Sequence, residues 1–228
     1  MSWNRYGPIV LCLVLFASSC GAEDPPKSDP ALRIFTDLPV QIDPNSRYLF
    51  YLHGAIIERV GVRPTHPEFG VYEYREILEV FAGRGFVVIS EARPAGTNGA
   101  VYAEKVADQV GALMKGGVSP EHITVVGFSK GGGIAITASS ILSEERLNFV
   151  FMGACGPWLN DRPEIVPRGR MLSLHELSDD IAGSCETLFG RSTGASVHEE
   201  ITLDLGGGHG AFYRPRPEWI DPVVEWAN

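Results

Sequence analysis

Ile123-Thr124-Val125-Val126-Gly127-Phe128-Ser129-Lys130-Gly131 passes from a β-branched run, through a Gly-x-Ser-x-Gly pentad, into a segment rich in Ala, Ile and Gly at 130–142. The β-branched residues read as a buried strand, and the small-residue segment reads as a helix lying close on a sheet. Between the two, the serine sits on a sharp turn that flanking glycines permit, because side chains there would collide with the neighbouring strand and helix. Such a turn lifts the Ser129 hydroxyl clear of the sheet, where a base and a reactant both reach it. A pentad alone arises often by chance. Its strand–turn–helix setting is what gives it meaning.

Outward from this segment, short apolar runs alternate with longer stretches of helical periodicity. Residues 48–52, 86–90, 123–127, 148–153, 171–175 and 198–203 read as strands. Helices are expected at 71–83, with Tyr74, Ile77, Leu78 and Phe81 on one face, and at 100–115, with Val101, Val106, Val110 and Leu113. A last helix at 217–227 carries Trp219, Ile220, Val223 and Val224 on its apolar side. Alternation of this kind implies an α/β fold, a mainly parallel sheet with helices on both faces. Ligands bind such sheets beyond the carboxyl ends of the strands. Residues just after strands are therefore the candidates for chemistry.

A serine nucleophile needs a base, a carboxylate to orient that base, and donors for a developing oxyanion. Beyond the strand at 171–175 lies Glu176-Leu177-Ser178-Asp179-Asp180, and the strand at 198–203 leads to Gly206-Gly207-Gly208-His209-Gly210. His209 is the candidate base. Asp179 is the favoured acid by spacing, with Asp180 left open. His175 and His198 lie in strands, His122 in a turn and His66 in a proline-rich loop, so structural roles suit them better.

The order Ser129, Asp179, His209, together with His53-Gly54 after the first strand, makes residues 45–228 resemble a small α/β-hydrolase of about dienelactone-hydrolase size. Leu174-His175-Glu176-Leu177-Ser178-Asp179 is similar to that family's His-Gly-x-x-Asp strand end, with Glu176 in place of the glycine. The resemblance implies an oxyanion hole from the backbone N–H of Lys130 and that of Ala55 or Ile56, the Lys130 side chain being left to solvent. It also implies a serine hydrolase of carboxylic esters of small or medium substrates that works through an acyl-enzyme with no cofactor. Thioester, lactone and peptide bonds remain open on the same three residues, and so does a silent hydrolase fold used for binding. His53 is expected to orient the oxyanion loop or touch substrate. Arg93 would bind an acidic group or form a surface ion pair. Phe69, Tyr72 and Tyr74 are candidate pocket walls, Tyr74 being more easily explained by helix packing. Only about 17 residues separate the strands near 153 and 171, too few for a helical cap domain.

Composition narrows the alternatives. The 228 residues, 44% of them hydrophobic, suit one globular domain with a full core. A net charge of −9 and scattered arginines argue against nucleic acid as partner. No His-x-x-x-His pair, Cys-x-x-Cys cluster or Gly-x-x-x-x-Gly-Lys-Ser/Thr loop occurs, so no metal or Walker-type nucleotide site is expected.

At the amino end, Arg5 precedes an unbroken apolar run at 9–17 and then Ala17-Ser18-Ser19-Cys20-Gly21. Nine apolar residues fall short of the roughly 20 that span a bilayer, so 1–19 reads as an export signal. The ending resembles a bacterial lipoprotein signal, in which Cys20 carries lipid and holds the protein at a membrane in the cell envelope. Residues 20–31 are polar and proline-rich, a tether to a domain at 32–228. Gly21 after the cysteine fits outer-membrane sorting. In an exported chain the remaining cysteines, Cys155 and Cys185, either pair or stay as two buried thiols.

Overall fold

The computed structural model describes Met1, residues 32–192 and residues 197–228. The expected signal at 1–19, the lipidated Cys20 and the tether to residue 31 fall, Met1 aside, outside the described residues. In chain order the elements are β1 (Ile34–Phe35), β2 (Tyr48–Leu52), α1 (Ala55–Val60), β3 (Thr65–His66), β4 (Gly70–Val71), α2 (Tyr74–Gly83), β5 (Val87–Ile89), α3 (Gly99–Lys115), β6 (Ile123–Phe128), α4 (Lys130–Leu142), β7 (Asn148–Met152), β8 (Arg170–Glu176), α5 (Glu186–Arg191), β9 (Val197–Leu203) and α6 (Pro217–Trp226). Seven strands join in one sheet in the order β1-β5-β2-β6-β7-β8-β9, and every pairing in it is parallel.

Strands β2, β5, β6 and β7 are buried along their whole length, which explains their unbroken apolar sequence. Alternate side chains feed two cores. Tyr48, Phe50 and Leu52 pack with α3 and α4 on one face, while Leu49 and Tyr51 pack with α2 and α6 on the other. Val106, Val110, Ile134 and Phe149 belong to the first core; Phe81, Val150, Leu172 and Trp219 belong to the second. Each such side chain contributes about 1.5–3 kcal/mol by leaving water.

The expected strands and the four expected helices are all present, with two differences. The helix expected from residue 71 begins at Tyr74 because Gly70–Val71 pairs with Thr65–His66 as an antiparallel hairpin. Short β1, α1 and α5 appear where no periodicity announced them, since six residues or fewer complete too few turns to show a pattern. Between β7 and β8, residues 153–169 carry one 3-10 turn, Pro157–Leu159.

Candidate active site

Sheet order locates the site. The chain steps from β2 outward to β5, then returns across β2 to β6, so the loops after β2 and β6 leave the sheet side by side. That divergence opens the crevice at which such sheets hold ligands. Leu52 and Gly127 are in register across the two strands. Ser129 and Gly54 therefore meet just above them, with a Cβ on Gly54 standing 3.5 Å from that of Ser129.

Ser129 has φ 53° and ψ −119°, a conformation that costs a non-glycine residue of order 1–3 kcal/mol. Its N–H donates to the Met152 carbonyl at 2.9 Å, holding the turn against β7. Glycine is required on both sides for steric reasons. A Cβ on Gly127 would strike the Gly131 carbonyl, and one on Gly131 would strike the Leu52 carbonyl.

The hydroxyl of Ser129 lies 2.8 Å from His209 Nε2, and His209 Nδ1 lies 2.8 Å from Asp179 Oδ2. The other carboxylate oxygen of Asp179 accepts the N–H groups of Ile181 and Ala182, at 2.8 and 3.0 Å. Burial by itself would raise this carboxyl. The hydrogen bond from His209 and those from the two N–H groups outweigh it, so the pKa stays below the ordinary 3.8. Of the two candidate acids, Asp179 is the one in contact with His209, while Asp180 is exposed. A cleft of about 840 Å³ opens over Ser129 and His209.

Ala55 and Lys130 are the first residues of α1 and α4, and the N–H of a first helical residue has no carbonyl to meet within its own helix. Both are thus free to face a developing negative charge beside Ser129. The side chains around them depart from expectation. Lys130 Nζ is not left to solvent but donates to Glu58 Oε2 at 2.5 Å and to the Thr97 carbonyl at 2.7 Å. Arg93 is neither a surface residue nor a substrate ligand. Its side chain is fully buried, with Nε 2.9 Å from Glu58 Oε1 and Nη2 donating to the His53 carbonyl. Burial raises the Glu58 carboxyl, but Lys130 and Arg93 more than reverse this and hold it low.

His53 is likewise removed from any ligand, being 0% exposed. Its Nε2 accepts the Arg93 N–H at 2.9 Å, which leaves Nδ1 as the donor to the Gly54 carbonyl at 2.9 Å. Burial, reinforced by the Arg93 charge, pushes its pKa from 6.5 to about 4, so the ring is neutral at ordinary pH. Tyr72 is also corrected. It lies in the core, hydrogen-bonded to the Tyr51 hydroxyl at 2.8 Å and stacked on Tyr213, and it does not line the cleft. Tyr74 is bonded to Ser90 instead, and Phe69 stacks on His66.

Glu176, the residue that departs from the family pattern, has a definite place. Its buried carboxylate accepts the N–H groups of Leu205 and Gly206 and the hydroxyl of Ser178, all within 3.1 Å. Ser178 Oγ in turn accepts the Gly208 N–H. One carboxylate thereby ties the loop bearing Asp179 to the loop bearing His209. A glutamate standing where the family pattern has glycine was the available signal, but its partners lie about 30 residues away and sequence alone did not disclose them.

Cys155 and Cys185 are joined by a disulfide, and the Gly183 N–H donates to the Cys155 carbonyl at 2.9 Å. The bridge closes 30 residues of chain and contributes roughly 3.5 kcal/mol through the unfolded state. It fastens the segment after β7 to the segment after Asp179.

No family model matches the chain, and no curated protein matches it in sequence. Solved structures do. DcsB in complex with a substrate analogue shares 12% identity at a TM-score of 0.57, over 82% of this chain and 92% of that one. MGS-MChE2, an α/β hydrolase enzyme from the metagenome of lagoon sediments at Mar Chica, Morocco, shares 17% at 0.54, over 82% and 91%. An acetyl xylan esterase from Paenibacillus sp. R4 shares 14% at 0.54, over 84% and 77%. At such identities the likeness speaks for architecture, and the architecture is plain: this chain has the α/β-hydrolase fold.

Proposed function

We propose that the chain is a serine hydrolase of carboxylic esters. The observation that carries this reading is the unbroken hydrogen-bonded line from Ser129 through His209 to Asp179, opening on a cleft. Ser129 Oγ attacks the ester carbonyl while His209 Nε2 takes its proton and then delivers it to the departing alcohol. Asp179 holds the ring in the tautomer that accepts at Nε2 and stabilises the imidazolium as it forms. The N–H groups of Lys130 and Ala55 receive the oxyanion. Water, activated by the same histidine, resolves the acyl-enzyme. The likeness to esterases of known structure, such as the acetyl xylan esterase, supports the reading.

Fluorophosphonate labelling tests it directly. The wild-type protein is expected to label at Ser129 and to hydrolyse p-nitrophenyl esters, and Ser129→Ala to do neither while remaining folded. A folded wild type that neither labels nor turns over would leave a binding protein on a hydrolase fold. Its place in the cell is part of the proposal: lipid on Cys20 holds the domain in the envelope. Intact-mass analysis of the mature protein should show a diacylated or triacylated cysteine at its start, and an unmodified terminus would remove the anchor.

A further inference from the structure

We infer that the ester taken at Ser129 carries one long hydrocarbon arm, laid along α4; this rests on the esterase reading above and names its substrate class. The cleft that begins at Ser129 and His209 continues down the helix to Ile141 and Ile165. Gly133, Thr137, Ser140 and Ile141 face it at steps of four, three and one residues, which is one side of a helix. Between Gly133 and Ile141 the helix rises about 12 Å, the reach of an extended chain of about nine carbons.

Wall chemistry selects hydrocarbon over sugar. The Thr137 hydroxyl donates to the Gly133 carbonyl at 2.9 Å, and Ser140 Oγ accepts the Val166 N–H at 3.1 Å. The Trp158 indole N–H is given to the Ala154 carbonyl at 3.0 Å. These three groups already have partners within the protein, so along α4 a saccharide would exchange its water for a wall with little left to offer it. Meanwhile Ile141 and Trp158, which line the same cleft, are 48% and 39% exposed. Large apolar groups left bare beside a reactive serine are what a hydrocarbon arm would cover. The Trp158 ring passes 3.4 Å from the point where a Cβ on Gly133 would stand, so the indole rests against α4 at this glycine. Arg162 and Glu164, both exposed, stand at the far end, where the arm meets water.

Two substrate series separate the arm's origin: p-nitrophenyl acetate to decanoate, which lengthens the acyl side, and ethyl to decyl acetate, which lengthens the alcohol side. In the wild type, kcat/KM for the longest member should exceed that for the shortest by about tenfold or more in one series. Thr137→Trp, which fills the cleft midway, should bring that ratio close to one, while Thr137→Val should preserve it. Each variant is first labelled with fluorophosphonate, and if Thr137→Trp does not label, Ile141→Asp is read in its place. A wild type that does not label overturns the esterase reading itself. A labelled wild type with flat ratios in both series overturns the arm alone, as does a blocked variant that keeps its preference. So does faster turnover of acetylated xylo-oligosaccharides than of every long-armed ester.

Discussion

The two sides of the reactive serine are braced in opposite ways. On the oxyanion side, Arg93, Glu58 and Lys130 form a charged chain linking α1, the loop after β5 and the start of α4. On the histidine side, the ties are backbone N–H groups gathered by Glu176 and a covalent bridge between Cys155 and Cys185. A charged chain fails when one member is removed, because the remaining charges stay behind in low dielectric. A carboxylate gripping N–H groups, backed by a disulfide, loses only the bonds removed. The first side should therefore be brittle and the second tolerant.

The largest effect expected lies where the two sides meet. Asp179→Asn keeps the shape beside His209 but cannot stabilise an imidazolium, and turnover should fall by about 10⁴. Asp180→Asn should change it by no more than a few fold. Steady-state ester hydrolysis measures both, and the reverse ranking would transfer the acid's role to Asp180.

Brittleness is tested by Glu58→Gln. The buried Arg93 guanidinium is left uncompensated, and urea unfolding should show a loss of about 3–5 kcal/mol. The reporter on function is kcat, expected to fall with KM little altered as the Ala55 and Lys130 N–H groups lose alignment. A loss below about 1 kcal/mol would place the network among surface ion pairs and erase the contrast.

Acid should distinguish the sides as well. His53 has a folded pKa of about 4 against 6.5 when unfolded, so the unfolded chain binds more protons between those values. Its contribution is complete above pH 6.5 and is lost as pH falls toward 4, about 3 kcal/mol in all. Asp179, lowered from 3.8, acts in the same direction but only below its unfolded value. Urea midpoints taken from pH 7 to 4 should fall in the wild type and flatten in a folded His53→Asn variant. An unchanged slope would show that His53 is not the group titrating.

The smallest effect should come from Glu176→Gln. One amide oxygen remains for three donors, while its NH₂ opposes an N–H, so about 1.5–3 kcal/mol of charge-assisted bonding is weakened. Turnover should drop modestly and the loop at 204–208 should exchange its amides faster. A loss as large as that of Glu58→Gln would make the two sides alike.

The strands, the longer helices and the three residues of the hydrogen-bonded line were legible in the sequence. Fully buried parallel strands must be continuously apolar, and helices covering them must repeat near 3.6, so both are written locally. Ser129, Asp179 and His209 were found because each occupies a strand end with its own local pattern, although the choice of Asp179 over Asp180 awaited the contact with His209. What supports them is set by contacts between segments distant in the chain. Arg93 meets Glu58 across 35 residues and Lys130 meets Glu58 across 72, and no spacing rule links positions so distant. Read singly, Arg93 and Lys130 are charges bound for solvent, and Tyr72 is an aromatic ring available to a ligand. Burial reverses the readings of Arg93 and Tyr72, and pairing with Glu58 reverses that of Lys130, because a charge enters a core only with its partner and the partner is chosen by the fold.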